Sequence, residues 1–270
     1  MQTIVFASQK GGSGKTTLAA HMAVQAGLAG FGSVAMVDTD PQGSLHSWWK
    51  MREEAMPALI RSNADDLPED LERLRNQGHR LAIIDTQPAV TEAISEVVRH
   101  ADLVVIPCRP SPHDLRAVGA TVDIVEQWQK HMIFVVNSAT RRARITSEAA
   151  VALSQHGTVA PATLHHRVDF AASMIDGRTV METGPDGKSA NEIITLWDYI
   201  ESRMGRINQV PMPYETAQQI GDANASFGSR NQPAPPTPEG LQAQPQAVPA
   251  GNGLRPQGAT FGRRFASDAG

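Results

Sequence analysis

The first residues with evident chemical potential lie close to the amino terminus. An apolar run over 3–8 leads into Gln9-Lys10-Gly11-Gly12-Ser13-Gly14-Lys15-Thr16-Thr17. Glycines at these positions let backbone N–H groups close around an anion. A helix opening at Thr16 would add the partial positive charge of its N-terminus. Lysine and threonine at Lys15 and Thr16 suit the β- and γ-phosphates of a nucleotide and its Mg2+ ion. The stretch therefore predicts a phosphate-binding loop, with Gly11, Gly12, Ser13, Gly14, Lys15, Thr16 and Thr17 around the phosphates. The usual spacing places a glycine five positions before Gly14. Here that position is Gln9, and a second lysine, Lys10, follows it.

Phosphoryl chemistry also calls for carboxylates. Val37-Asp38-Thr39-Asp40-Pro41-Gln42-Gly43 closes an apolar run over 33–38 with two of them. One could organise Mg2+ and its waters while the other positions an attacking water. Leu81-Ala-Ile-Ile-Asp85 is another apolar run ending in a carboxylate, placed to hold Mg2+ through its water shell. Thr86-Gln87-Pro88 beyond it is expected to form a switch loop.

These groups must be held by a scaffold. Apolar runs over 3–8, 33–38, 81–86, 103–108, 133–138 and 158–164 read as strands, mostly continuous and so covered on both faces. Helical patterns fall over 16–29, 44–55, 67–76, 91–100, 112–128, 147–156, 169–175 and 191–206, with Ser111 as N-cap and Pro112 as first residue of the fifth. Alternation of strand and helix predicts an α/β fold. Its mostly parallel sheet is doubly wound, with helices on both faces and ligands at the carboxyl ends of the strands. Trp48 and Trp49 fall in the second helix, one expected to pack inward and the other to be exposed at a partner face.

Composition divides the 270 residues in two. Residues 1–207 read as one folded domain. Residues 208–270 are rich in Pro, Gln, Ala and Gly, cannot bury enough apolar surface to offset ordering entropy, and read as a disordered tail. Within it Ala225-Ser-Phe-Gly-Ser-Arg230 recurs as Ala259-Thr-Phe-Gly-Arg-Arg264, a candidate partner-docking motif. A net charge of −4 means that any nucleic-acid role needs a local basic patch. The single cysteine, Cys108, cannot pair internally, is expected to be buried and fits a reducing cytoplasm. No apolar stretch is long enough to span a bilayer, and residues 1–8 lack the pattern of a signal peptide.

The run KGGSGKTT resembles the deviant Walker A motif of the ParA/MinD family of ATPases. The likeness extends over about residues 1–205 and is nearest to the short ParF-type partition proteins, which share GGSGKTT and VDTDPQ and lack an N-terminal DNA-reading extension. The resemblance implies ATP and Mg2+ as cofactors. It implies a homodimer formed on ATP binding, in which Lys10 crosses to the phosphates of the other subunit. Lys10, Lys15 and Asp40 would then be catalytic, Asp40 orienting water, with Thr16, Asp38 and Asp85 on the metal side. The loops after 103–108 and 133–138 would lie against the adenine, making Pro107 to Pro112 and Asn137 base contacts, and the segment 168–180 with Gly177 would close the domain. Arg141, Arg142 and Arg144, with Arg167 beside His165 and His166, fall where the family places DNA-binding arginines. Arg144 and Arg167 from two subunits would make about four phosphate contacts and a log–log salt slope of about −3.6.

The implied function is a cytoplasmic, nucleoid-associated ATPase that positions a plasmid, a chromosome region or a protein assembly. It would bind nonspecific DNA as an ATP dimer and let go when a ParB-like or adaptor protein stimulates hydrolysis. The Pro/Gln-rich tail argues against a membrane-targeting helix, one cysteine against an iron–sulfur carrier, and two tyrosines against an autophosphorylating kinase. An ATP-dependent metabolic ligase and a conjugation accessory ATPase are the alternatives.

Overall fold

The computed structural model describes residues 1–89 and 91–207. The tail expected over 208–270, with its repeated motif, lies outside the described residues. Seven strands form one sheet: β1 (Gln2–Phe6), β2 (Val34–Asp38), β3 (Ala58–Arg61), β4 (Leu81–Asp85), β5 (Leu103–Cys108), β6 (His131–Val136) and β7 (Thr158–Val159). Their order is β3-β2-β4-β1-β5-β6-β7, and every pairing is parallel. The helices are α1 (Lys15–Leu28), α2 (Ser44–Trp49), α3 (Leu67–Asn76), α4 (Glu92–Arg99), α5 (Pro112–Gln127), α6 (Arg144–Ser154), α7 (Val168–Ser173), α8 (Val180–Thr183) and α9 (Lys188–Ile207).

The chain starts in the middle of the sheet, winds outward to β3, returns through β4, and crosses β1 to build the other half. The carboxyl end of β1 therefore lies where the winding reverses, the position at which such sheets bind ligands. Side chains alternate across each strand and feed two cores. Ile4, Phe6, Met36, Ile83, Val105 and Val135 pack under α1, α8 and α9. Val5, Val37, Ile84, Val104, Ile106 and Val136 pack under α3, α4 and α5. Burial on both faces is why the strands read as continuous apolar runs.

Ser111 caps α5 as expected, accepting from the Asp114 amide at 3.2 Å. Several other expectations fail for identifiable reasons. The strand expected over 158–164 keeps only Thr158–Val159, because Pro161 has no N–H to continue the ladder. The helix expected over 44–55 stops at Trp49. Beyond it the Arg52 guanidinium binds the carbonyls of Gly177 (2.6 Å) and Met56 (3.1 Å) and the Glu182 carboxylate (2.8 Å), which holds the chain out of helix. Neither β3, a short and partly exposed edge strand, nor α8 is among the expected elements. The α8 signal was present as Thr179-x-x-Glu182, which forms a capping box. Both tryptophans are packed: Trp48 is buried, and half-buried Trp49 donates to the Pro57 carbonyl at 2.9 Å. Cys108 is buried as expected, and burial pushes its thiol up to about 12. Among the described residues, no helix is long and apolar enough to cross a membrane.

Gly177 ends the turn after α7 at φ 78°, and a Cβ there would lie 2.3 Å from the Arg52 nitrogen. Gly177→Ala is expected to lower unfolding stability by about 2 kcal/mol or more, through left-handed strain and backbone collision. Urea denaturation checks this, and a change below about 0.5 kcal/mol would contradict the packing described.

Candidate functional site

The phosphate loop leaves β1 and enters α1 with Gly14 as N-cap. Gly12 and Gly14 have φ of 73° and 99°, conformations that side chains resist. Gly14 is doubly constrained, because a Cβ there would fall 2.2 Å from Asn137 Nδ2. That amide donates to the Ser13 carbonyl at 2.7 Å and fastens the loop to the end of β6. Lys15 folds back under the loop and donates to the Ser8 carbonyl at 3.3 Å. Burial lowers its pKa from the ordinary value, against the pull of Asp85 and Asp40.

Parallel register delivers the carboxylates. Phe6 pairs with Asp85, and Asp38 pairs with Asp85 from the other side, so both acids end at the edge from which the loop departs. Thr16 Oγ1 donates to Asp85 Oδ2 at 2.6 Å, while the buried Oδ1 has no partner. Burial raises the Asp85 carboxyl to about 7, opposed by the Thr16 hydrogen bond and reinforced by the charge of Asp38. A buried acid with a vacant oxygen beside the hydroxyl at the start of a helix suits a hydrated divalent cation. Among the described residues there is no group of three or more His, Cys, Asp or Glu able to hold a metal by itself, so such an ion would depend on phosphate oxygens.

Asp38 and Asp40 take different places. Asp38 accepts from the Asp40 amide at 3.1 Å and the His46 amide at 2.9 Å, so both oxygens serve to hold the loop and the start of α2. It does not line the cleft, and its carboxyl is raised chiefly by burial. Asp40 does line the cleft, with one oxygen held by the Gln42 amide at 2.9 Å.

The cleft has a volume of about 670 Å³ and gathers Gly12, Gly14, Lys15, Thr16, Thr17, Asp40 and Asn137. Its far end is formed by Ser138, His165, Arg167, Phe170 and Met174. Pro107 is not there: it is buried within β5, paired with Val135. Arg109, two residues on and within the 107–112 stretch expected against the adenine, lines the cleft instead. Arg167, expected at a DNA surface, forms a two-pronged ion pair with Glu192 at 2.6 and 2.7 Å. Glu192 also holds the His165 ring at 2.7 Å. Arg141, Arg142 and Arg144 are exposed; Arg144 pairs with Glu148 at 2.6 Å on the surface of α6. Lys10 is exposed and lies outside the cleft lining.

His21 had no sequence signal beyond a lone polar residue in α1. It is fully buried, held neutral by burial with its pKa near about 4. Its Nδ1 lies 2.7 Å from the Thr17 carbonyl, and its Nε2 accepts from the Val180 amide at 3.3 Å. The phosphate helix is thereby tied to α8.

The chain matches the CobQ/CobB/MinD/ParA nucleotide binding domain over residues 4–241. It is 30% identical over 202 residues to the maintenance of carboxysome distribution protein A of Halothiobacillus neapolitanus, covering 71% of this chain and 92% of that one. With the protein of the same name from Gloeobacter kilaueensis it shares 36% identity over 152 residues, covering 55% and 68%. The fold superposes on the MinD of Pyrococcus horikoshii solved with Mg-ADP at a TM-score of 0.64 and 16% identity, covering 77% of this chain and 99% of that one.

The raised Asp85 pKa has a definite sign. The native state holds a proton that the unfolded chain releases near pH 4, so ionising Asp85 costs stability as pH rises from about 4 to 7. Asp85→Asn in the metal-free protein is expected to melt above wild type at pH 8. The difference should narrow as the pH is lowered toward 4, and thermal denaturation across that range checks it. A variant less stable than wild type at pH 8 would contradict the assignment.

Proposed function

The chain belongs to the CobQ/CobB/MinD/ParA nucleotide-binding family, and on that premise we propose that it is a ParA-like positioning ATPase. The observation that carries this reading is the division of labour between the two lysines. Lys15 is buried beneath the phosphate loop, whereas Lys10 is exposed at the loop's start and makes no side-chain bond among the described residues. A cation so placed can serve the phosphates of a second subunit. Dimerisation would then follow from nucleotide charge.

ATP supplies the γ-phosphoryl group, and Mg2+ neutralises part of its charge. Lys15 and the amides of the loop hold the phosphate oxygens, with the α1 N-terminus behind them. Thr16 and Asp85 would hold the Mg2+ ion, Thr16 through its hydroxyl and Asp85 through the carboxyl oxygen left without a partner. Asp40 orients a water through the oxygen that Gln42 leaves free. Asp38 holds the Asp40 loop and the start of α2. Phe170 and Asn137 line the cleft and would contact a base.

The DNA face is assigned to Arg141, Arg142 and Arg144. Arg167 is left out because Glu192 neutralises it, and the exposed Arg144–Glu148 pair is weak enough to exchange for phosphate. Gathering three arginines from each of two subunits makes DNA binding a property of the dimer, which is how an acidic chain can hold a polyanion reversibly. A partner that stimulates hydrolysis, engaged through 208–270, would release it. Of the cargoes open to such a protein, a large protein assembly is favoured by the likeness to the two carboxysome-distribution relatives. The expected setting is the cytoplasm, on nucleoid DNA.

The test is binding of the full chain to nonspecific duplex DNA with ATP and with ADP over a range of salt. Binding should require ATP, with a log–log salt slope of about −5 for about six phosphate contacts. Lys10→Ala should retain nucleotide but lose the ATP requirement together with most of the affinity. Equal binding with ADP, or none in either state, would refute the proposal.

A further inference from the structure

We propose that Arg109 is a phosphate-contacting residue of the nucleotide site, supplied by the same subunit from the loop after β5. The inference rests on the nucleotide-binding reading above and adds a residue to that site. Its basis is the way the sheet sorts charge around the phosphate loop. On one side of β1, strands β4 and β2 end in Asp85 and Asp38, with Asp40 beyond, and Thr16 turns toward Asp85. On the other side, β5 and β6 lead to Arg109 and Asn137. The metal belongs with the carboxylates. Phosphate oxygens on the opposite flank need another source of positive charge; Arg109 and Arg167 line the cleft there, and Arg167 is already paired with Glu192.

Its geometry fits. A Cβ built on Gly12 would lie 3.6 Å from one guanidinium nitrogen of Arg109 and 3.9 Å from its Cζ, so the guanidinium stands over the loop. Among the described residues Arg109 has no carboxylate partner, whereas Arg52 and Arg167 are committed to Glu182 and Glu192. The backbone that presents it is stiff. Pro110 and Pro112 restrict 109–112, Cys108 accepts from the Asn137 amide at 2.9 Å, and Arg109 accepts from the Ser111 amide at 2.8 Å. Its guanidinium has a planar fork of donors suited to phosphate.

Isothermal titration of the full chain with ATP, in Mg2+ and in EDTA, tests this with wild type, Arg109→Ala, Arg109→Lys and Lys15→Ala. Loss of one charge-assisted contact should weaken ATP binding by about tenfold to a hundredfold in Arg109→Ala. Because Arg109 is on the flank away from the metal, the loss should persist in EDTA, and Arg109→Lys should recover part of it. The melting temperature without nucleotide should stay at the wild-type value. Arg109→Ala with wild-type ATP affinity, while Lys15→Ala fails to bind, would overturn this assignment alone. A wild-type chain that fails to bind ATP would overturn the nucleotide reading and this proposal with it.

Discussion

The in-register parallel pairing of β1 with β4, from Gln2–Leu81 to Phe6–Asp85, is the constraint on which the rest depends. It brings the end of an apolar strand, where the phosphate loop begins, beside the end of another that terminates in a carboxylate. A slip of one residue would turn every side chain of β4 to the opposite face and destroy both cores. The pairing is locked beyond the ladder by Thr86, whose hydroxyl donates to the Phe6 carbonyl at 2.8 Å. With register fixed, Thr16 has only to complete the first turn of α1 to reach Asp85. That carboxylate is buried and half satisfied, an arrangement a folded core tolerates when a ligand is due to complete it.

From this centre the structure reaches outward through buried polar contacts. Asp38 accepts from the His46 amide at the start of α2, and the chain after α2 brings Arg52 over the Trp48 ring and into contact with Gly177 and Glu182. Glu182 completes the capping box of α8, and His21 ties α8 back to the phosphate helix. The cycle runs from loop to α2 to α8 to α1. Its members are mostly sealed from solvent, so a change at the phosphate loop meets a connected set of contacts around it. At the other end of the cleft, Glu192 fixes His165 and Arg167 beside the space framed by Phe170.

Much of this was legible in the residues. The phosphate loop, Asp85 and the alternation of strand and helix were plain because glycine spacing and unbroken apolar runs are local signals of a buried parallel sheet. The two aspartates of the Asp38-Thr39-Asp40 turn were sorted only by resemblance, since the fold alone reveals that Asp38 gives both oxygens to backbone amides. The Arg167–Glu192 pair was hidden for a similar reason: Glu192 is 25 residues away in α9, and a basic cluster in sequence says nothing about such a pairing. Arg109 was legible only as part of a base-contacting stretch, because its place beside the phosphate loop comes from β5 lying next to β1, a fact of topology. The edge strand β3 carried too short a pattern to separate from the helix before it.

In the proposed function bound nucleotide, by adding charge beside an exposed Lys10, decides whether two copies associate. Sedimentation velocity of the full chain in Mg2+-ATP and in Mg2+-ADP, with Asp40→Ala used to slow hydrolysis, addresses that claim most directly. A dimer is expected in ATP and a monomer in ADP, with Lys10→Ala monomeric in both. The same mass in ATP and ADP would contradict it.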